Sequence, residues 1–247
     1  MVMHHRWESL LFLHWPVSPE RIQQTLPATL TVDTFRGEAF LGITPFFMRS
    51  VRPVGLPAIP WLSDFQELNV RTYVYDAAGV PRIWFYSLDC DQPLAVAGAR
   101  ALTGLPYFSA EMNSTTGAFF DYSCRRQGVS GTAEYRYRAV GEARKAEEDS
   151  LEFFLLERYY LYAVRSGALL RAQVSHQPYE LRQAEVPVSS VGPAHWDGFT
   201  EVAGAPIHAC FVDGFDVKVF ATRKLREEQA QDRRESSAAG LGFECFA

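Results

Sequence analysis

The chain has 247 residues and a formal charge of −5, with 47% hydrophobic, 14% aromatic and 21% charged residues. That make-up suits a globular protein able to bury a core without disulfides or a metal, as one large β-rich domain or two small ones. No stretch reaches the ~18 apolar residues of a membrane-spanning helix, and a mildly acidic chain lacks the basic footprint of a nucleic-acid binder, so neither partner is expected.

Near the start, Leu10–Leu13 is too short for a signal-peptide core and is broken by His14. Ser18-Pro19-Glu20 predicts a short helix, with serine capping the free amides and proline in the first turn, where its missing N–H costs nothing. Thr31–Phe35 and Ala39–Thr44 flank Arg36-Gly37-Glu38 as a hairpin. Phe65–Tyr75 alternates as a strand, with Leu68, Val70, Thr72 and Val74 on one face and Glu67, Asn69, Arg71, Tyr73 and Tyr75 on the other. That polar face either meets water or lines a polar cavity. After the turn Asp76–Gly79, Arg82–Asp89 is the antiparallel partner. Pro93–Leu102 is expected to be a buried helix, stopped by Gly104-Leu105-Pro106.

Strands are then expected over Ala118–Arg126 and Thr132–Val140 around Gly128–Gly131. Glu142–Asp149 reads as an exposed loop leading into a short helix with a capping-box-like start at Asp149–Glu152. Tyr159–Val164 should pair with Leu169–His176, and Ala209–Val212 with Asp216–Phe220 across Asp213-Gly214. A single domain over 1–225 and a loosely held tail over 226–247 are expected. Sequential hairpins with few helices argue for an antiparallel sheet that curls or closes.

Motif searches are negative. Cys90, Cys124, Cys210 and Cys245 are scattered, which suits reduced thiols in a cytoplasmic protein. The six histidines form no i,i+2 or i,i+4 pair, and no phosphate-loop, nucleophile-elbow or zinc-protease motif occurs. No metal or cofactor is expected.

The segments FQELNVRTYV (65–74), IWFYSLD (83–89), ARALTGLPYFSAEM (99–112), FLLERYYLY (154–162) and VSHQPYELRQAEV (174–186) together resemble the YqjF-like family of uncharacterised proteins. The likeness runs from roughly residue 6 to 225. It implies a fold related to acetoacetate decarboxylase: a mainly antiparallel, cone-like β-barrel with an internal cavity and peripheral helices. It implies no reaction, since the family has no settled activity. Where those decarboxylases carry a Gly-Tyr-Pro-Lys-Lys type segment, this chain has Gly104-Leu105-Pro106-Tyr107-Phe108, so aromatics stand at both lysine positions.

A Schiff base needs a primary amine, and arginine cannot supply one. The chain has only Lys145, Lys218 and Lys224. Lys145 and Lys224 read as solvated; Lys218 reads as a surface strand residue, with projection into a cavity the alternative. Schiff-base decarboxylation is therefore not expected.

Glu67 and Arg71 share a strand face ~13 Å apart by strand rise and are candidates to line one pocket, or else a structural ion-pair network. Glu67 also lies where the resemblance places a cavity glutamate, and a buried glutamate could move protons near neutral pH. Arg71 could hold a carboxylate. Tyr73 shares their face. The resemblance turns Tyr107 toward the cavity as a hydrogen-bond donor, with an aromatic core role as the alternative. His176 shares a face with Ala172 and Val174 as a base or a satisfied core residue. Arg100 is expected to pair with an acid such as Asp89, with snorkelling outward the alternative, and Glu157 and Arg158 read as an anchoring network rather than as catalysts. His195-Trp196-Asp197 suggests a loop with stacking potential. The leading expectation is binding of a small organic acid or carbonyl compound; a lysine-independent lyase or hydratase using Glu67, and an interaction or scaffold protein, are the alternatives.

Overall fold

In the computed structural model, which describes residues 1–224, one thirteen-stranded sheet carries five short helices. In chain order these are β1 (Met3–Val17), α1 (Pro19–Gln23), β2 (Thr31–Val32), β3 (Ala39–Pro53), α2 (Pro60–Ser63), β4 (Phe65–Tyr75), β5 (Arg82–Cys90) and α3 (Pro93–Thr103). There follow β6 (Tyr107–Thr116), β7 (Phe120–Arg126), β8 (Ala133–Arg144), α4 (Leu151–Leu156), β9 (Tyr160–Arg165) and β10 (Ala168–Ser175). β11 (Leu181–Ser189), α5 (Gly192–Trp196), β12 (His208–Val219) and β13 (Arg223–Lys224) complete the described chain.

The strands pair in the order β13-β10-β9-β5-β6-β7-β8-β11-β12-β1-β3-β4-β2, with further pairings of β4 to β5 and β10 to β12. All pairings are antiparallel except β5 with β6 and β5 with β9. Those two parallel junctions need crossovers, and α3 supplies the connection from β5 to β6. Among the described residues no helix is long and apolar enough to cross a membrane.

The β4 alternation is as the sequence predicts, but both faces are buried. Leu68 and Val70 enter a large core with Trp15, Leu41 and Tyr135, while Phe65 and Tyr73 enter a second with Phe12, Phe40 and Tyr179. Glu67, Asn69 and Arg71, on the Phe65–Tyr73 side, are also buried, which decides against a solvated outer face.

Local signals fix several ends. Ser18 caps α1 by accepting from the Arg21 amide, and Ser150 caps α4 by accepting from the Phe153 amide. Gly104 closes α3 at φ 73°, and a side chain there would sit 2.7 Å from the Val164 carbonyl oxygen, so the turn needs glycine on two counts.

Other expectations are corrected. The segment 31–35 does not pair with 39–44: β2 adds to β4, leaving a single Phe35–Glu38 bridge at the turn. α3 is not a buried helix; Val96 is its one buried residue, and Leu94 and Leu102 face outward. Asp213-Gly214 makes no turn: β12 runs straight through, paired with β1, because Gly214 opposes Glu8 where a Cβ would meet the Trp7 carbonyl oxygen at 2.8 Å. Residues 192–196 form α5 rather than a loop. β1, β6 and β11 had no clean sequence signal. The expected tail over 226–247, with Cys245, falls outside the described residues, and just before it β13 pairs with β10.

Candidate functional site

β4 places Glu67, Asn69, Arg71 and Tyr73 in a row on its inner face. Asn69 and Arg71 line a small cavity of about 30 Å³ together with Thr44 of β3, Arg158 and aromatic and aliphatic side chains that include Trp7, Phe12 and Tyr179. That is room for about two water molecules.

Two guanidinium groups reach this cavity. Arg71 is 6% exposed; it donates to the Leu155 carbonyl at a marginal 3.5 Å and lies 5.0 Å from the Phe12 ring centre. Its Nε is buried without a hydrogen-bond partner, and no carboxylate pairs with it among the described residues. Arg158 donates to Asp33 at 2.6 Å and to the Phe154 carbonyl at 2.7 Å, with its guanidinium 5.1 Å from the Tyr73 ring centre. Burial pulls the Arg158 pKa down; Asp33 opposes this, and the neighbouring Arg71 charge adds to it. The cavity is therefore short of negative charge.

Glu67 is buried on the same face but outside the cavity lining. Its Oε2 accepts from the Tyr107 hydroxyl at 3.1 Å, and its backbone carbonyl from the Tyr122 hydroxyl at 3.0 Å. Burial raises its pKa to about 7, with hydrogen bonds from Asn69 and Tyr107 opposing and the Asp89 charge reinforcing the rise. Glu67 and Arg71 are thus not brought into contact; Asn69 stands between them. Tyr107 is a partner of Glu67, held protonated chiefly by burial. The Tyr73 ring is fully buried near both arginines, and its hydroxyl lies 2.6 Å from His14 Nε2.

His176 stands apart from the arginines. It follows β10, packs among Trp7, Tyr159, Tyr179 and Phe215, and shares its Nδ1 with the Gln177 carbonyl at 2.7 Å. It supports the cavity wall through Trp7 and Tyr179 rather than lining it.

One expected pairing is replaced. Asp89 pairs with Arg126 (2.6 and 2.9 Å), not with Arg100, which is exposed 5.8 Å from the Phe108 ring centre. Arg126 also donates to Asp197 and Ser87, so the residue expected in a stacking loop completes a structural network. Glu157 and Arg158 anchor the structure through separate partners: Glu157 accepts from the Tyr159 hydroxyl and the Tyr179 amide, and Arg158 donates to Asp33. Lys145, Lys218 and Lys224 are all exposed, so no amine enters the chamber. Sequence reasoning missed His14 and gave Arg158 an anchoring role without its place at the cavity; their partners Tyr73 and Asp33 lie 59 and 125 residues away, beyond any local pattern.

Comparison with known proteins places this geometry. Residues 4–216 match the family DUF2071, described as an uncharacterized conserved protein. The uncharacterized protein YqjF of Bacillus subtilis is 39% identical over 198 residues, covering 78% of this chain and 81% of that protein. Among solved structures, the enduracididine biosynthesis enzyme MppR complexed with pyruvate is similar at a TM-score of 0.64 and 14% identity, covering 91% of this chain and 90% of that one. An acetoacetate decarboxylase-like enzyme from Sphingomonas wittichii is similar at a TM-score of 0.60 and 13% identity, over 90% and 92% of the two chains. At such identities these two show a shared fold, mostly β with few helices. By its family match and its resemblance to YqjF, the chain belongs to the DUF2071 family of uncharacterised proteins and has an acetoacetate decarboxylase-like fold.

Proposed function

We propose that this protein binds a small organic acid or carbonyl compound in the chamber beside β4, holding it with Arg71 and Arg158 and without a covalent bond to lysine. The observation that carries the reading is Arg71: a buried guanidinium with no carboxylate partner is costly, and an anionic guest would relieve that cost. Asn69 and Thr44 supply neutral polar contacts, and the Thr44 hydroxyl and Asn69 carbonyl oxygen are buried without partners. The strand pairings support a closed barrel around this chamber, since β4 pairs with β5 as well as β3. The empty volume is smaller than an acid of a few carbons, so rim side chains rotate on binding. That MppR has been described with pyruvate makes pyruvate the first probe.

The test is thermal melting across a panel of small carboxylic acids and their neutral amides. Acids should raise the melting temperature where amides do not, and Arg71→Gln should abolish the rise. A rise that is equal for acids and amides, or unchanged in the variant, removes the assignment.

A second reading is supported at Glu67. A carboxyl with a pKa of about 7 beside the Tyr107 hydroxyl is poised for proton transfer, as a lysine-independent lyase or hydratase would need. Its place outside the cavity lining ranks it below binding. A scaffold role draws on exposed apolar residues, notably Leu56, Trp61, Leu94 and Leu102.

A further inference from the structure

Behind Tyr73 a row of polar groups leads from the inner face of β4 to the surface. The Tyr73 oxygen is 2.6 Å from His14 Nε2; His14 Nδ1 is 2.9 Å from His208 Nδ1; His208 Nε2 is 3.7 Å from Glu152 Oε1. Glu152 in turn receives two hydrogen bonds from Arg144, at 2.6 and 2.7 Å. Tyr73 and His14 are fully buried, and Gly42 leaves room for His14 and Arg71 together, since a Cβ there would lie 3.1 Å from the imidazole and 3.3 Å from Arg71 Cγ.

The row permits one consistent placement of hydrogens. Arg144 keeps Glu152 ionised and burial keeps both imidazoles neutral, so each ring carries one N–H. A carboxylate only accepts, so His208 carries its hydrogen on Nε2 and leaves Nδ1 as an acceptor. His14 must then donate from Nδ1, which makes its Nε2 an acceptor. Tyr73 must donate to that nitrogen. The 3.7 Å step at Glu152 is longer than a direct hydrogen bond and fits one bridging water or a short side-chain approach.

We infer that Glu152, His208 and His14 form a tautomer relay that fixes the direction of the Tyr73 hydroxyl, so that Tyr73 offers its lone pairs to Arg71 and holds that guanidinium for the guest. Arg71 is a hydrogen-bonding partner of Tyr73, as this direction requires. Glu152, His208, His14 and Tyr73 are positioning residues; Arg71 is the contact. The inference rests on the reading of the chamber as an acid-binding site, and deepens it by adding a control that starts at a partly exposed helix residue.

The relay has a readout that needs no ligand. Two-bond ¹⁵N–¹H correlation spectra of imidazole-labelled protein should show His14 as the Nδ1–H tautomer and His208 as the Nε2–H tautomer, with assignments from His14→Asn and His208→Asn. The reverse tautomer at either ring overturns the relay. Glu152→Gln replaces an obligate acceptor by a group that also donates, so His14 should become a mixture of tautomers and pyruvate binding should weaken about ten-fold. Arg144→Gln loses the surface ion pair but keeps the carboxylate, so it should retain the wild-type His14 tautomer; unaltered tautomers in Glu152→Gln overturn the relay. If the tautomers behave as stated while pyruvate binding ignores Arg71→Gln, the acid-binding reading fails and the relay stands as a structural device. If Arg71→Gln abolishes pyruvate binding but Glu152→Gln leaves it unchanged, the link from relay to guest is wrong.

Discussion

Two buried arginines treat the same cost in opposite ways. Arg126, on β7, donates to Asp89, Asp197 and Ser87 and lies 4.6 Å from the Phe108 ring centre. Burial opposes its charge, but hydrogen bonds and charge from the two aspartates more than offset this and raise its pKa. Arg71, on β4, is as well buried, yet among the described residues it meets only neutral groups: an aromatic ring, the Tyr73 hydroxyl, a distant carbonyl and a cavity. A guanidinium whose carboxylates are built into the fold stabilises architecture; one without an anionic partner leaves a place for an anion to come.

The largest expected effect tests the first half of that contrast. Arg126→Met leaves Asp89 and Asp197 buried without their cation and should destabilise the protein by about 3–5 kcal/mol, read from urea midpoints. A loss below 1 kcal/mol would show that the network is dispensable.

The next effect lies at Glu67. Its folded pKa of about 7 exceeds the ordinary value of 4.5, so the folded state holds the proton more tightly than the unfolded state. Stability should therefore fall as pH rises from about 4.5 to 7, by up to about 3 kcal/mol, and then level off. Glu67→Gln keeps an acceptor for Tyr107 but cannot ionise. It should flatten this slope and be more stable than wild type above pH 7, with little difference near pH 4; parallel pH profiles would contradict the assignment.

These predictions also mark how far sequence reaches. The strand Phe65–Tyr75, its pairing with β5, the cap at Ser18 and the stop at Gly104 are legible because local spacing decides them, whereas the cap of α4 falls on Ser150, one residue after the Asp149 that the Asp149–Glu152 spacing suggests. The inner row Glu67–Tyr73 is legible for the same reason. What escapes is set by distant partners. β1 and β3 are long strands broken by register shifts, with Ser9 and Ser50 at positive φ, so their alternation drifts and no clean period survives. Gly214 looks like a turn residue, yet it serves a close approach to β1. Likewise the choice of Arg126 over Arg100 as partner of Asp89 depends on β6 pairing with β5 and β7 with β6, not on helix spacing.

The smallest expected effect is none at all. Borohydride with pyruvate should leave the protein mass unchanged, because every lysine is exposed and none lines the chamber. A stable adduct on Lys218 would reinstate amine chemistry.

The account stands most directly on a calorimetric titration of pyruvate into wild type and Arg71→Met, with the melting temperature of each ligand-free protein recorded alongside. Removing an unpaired buried charge should leave the empty variant as stable as wild type or slightly more so, while a lost charged contact of about 2–3 kcal/mol weakens binding roughly 30- to 150-fold. Equal pyruvate affinity in the two proteins would contradict a chamber that grips its guest through Arg71.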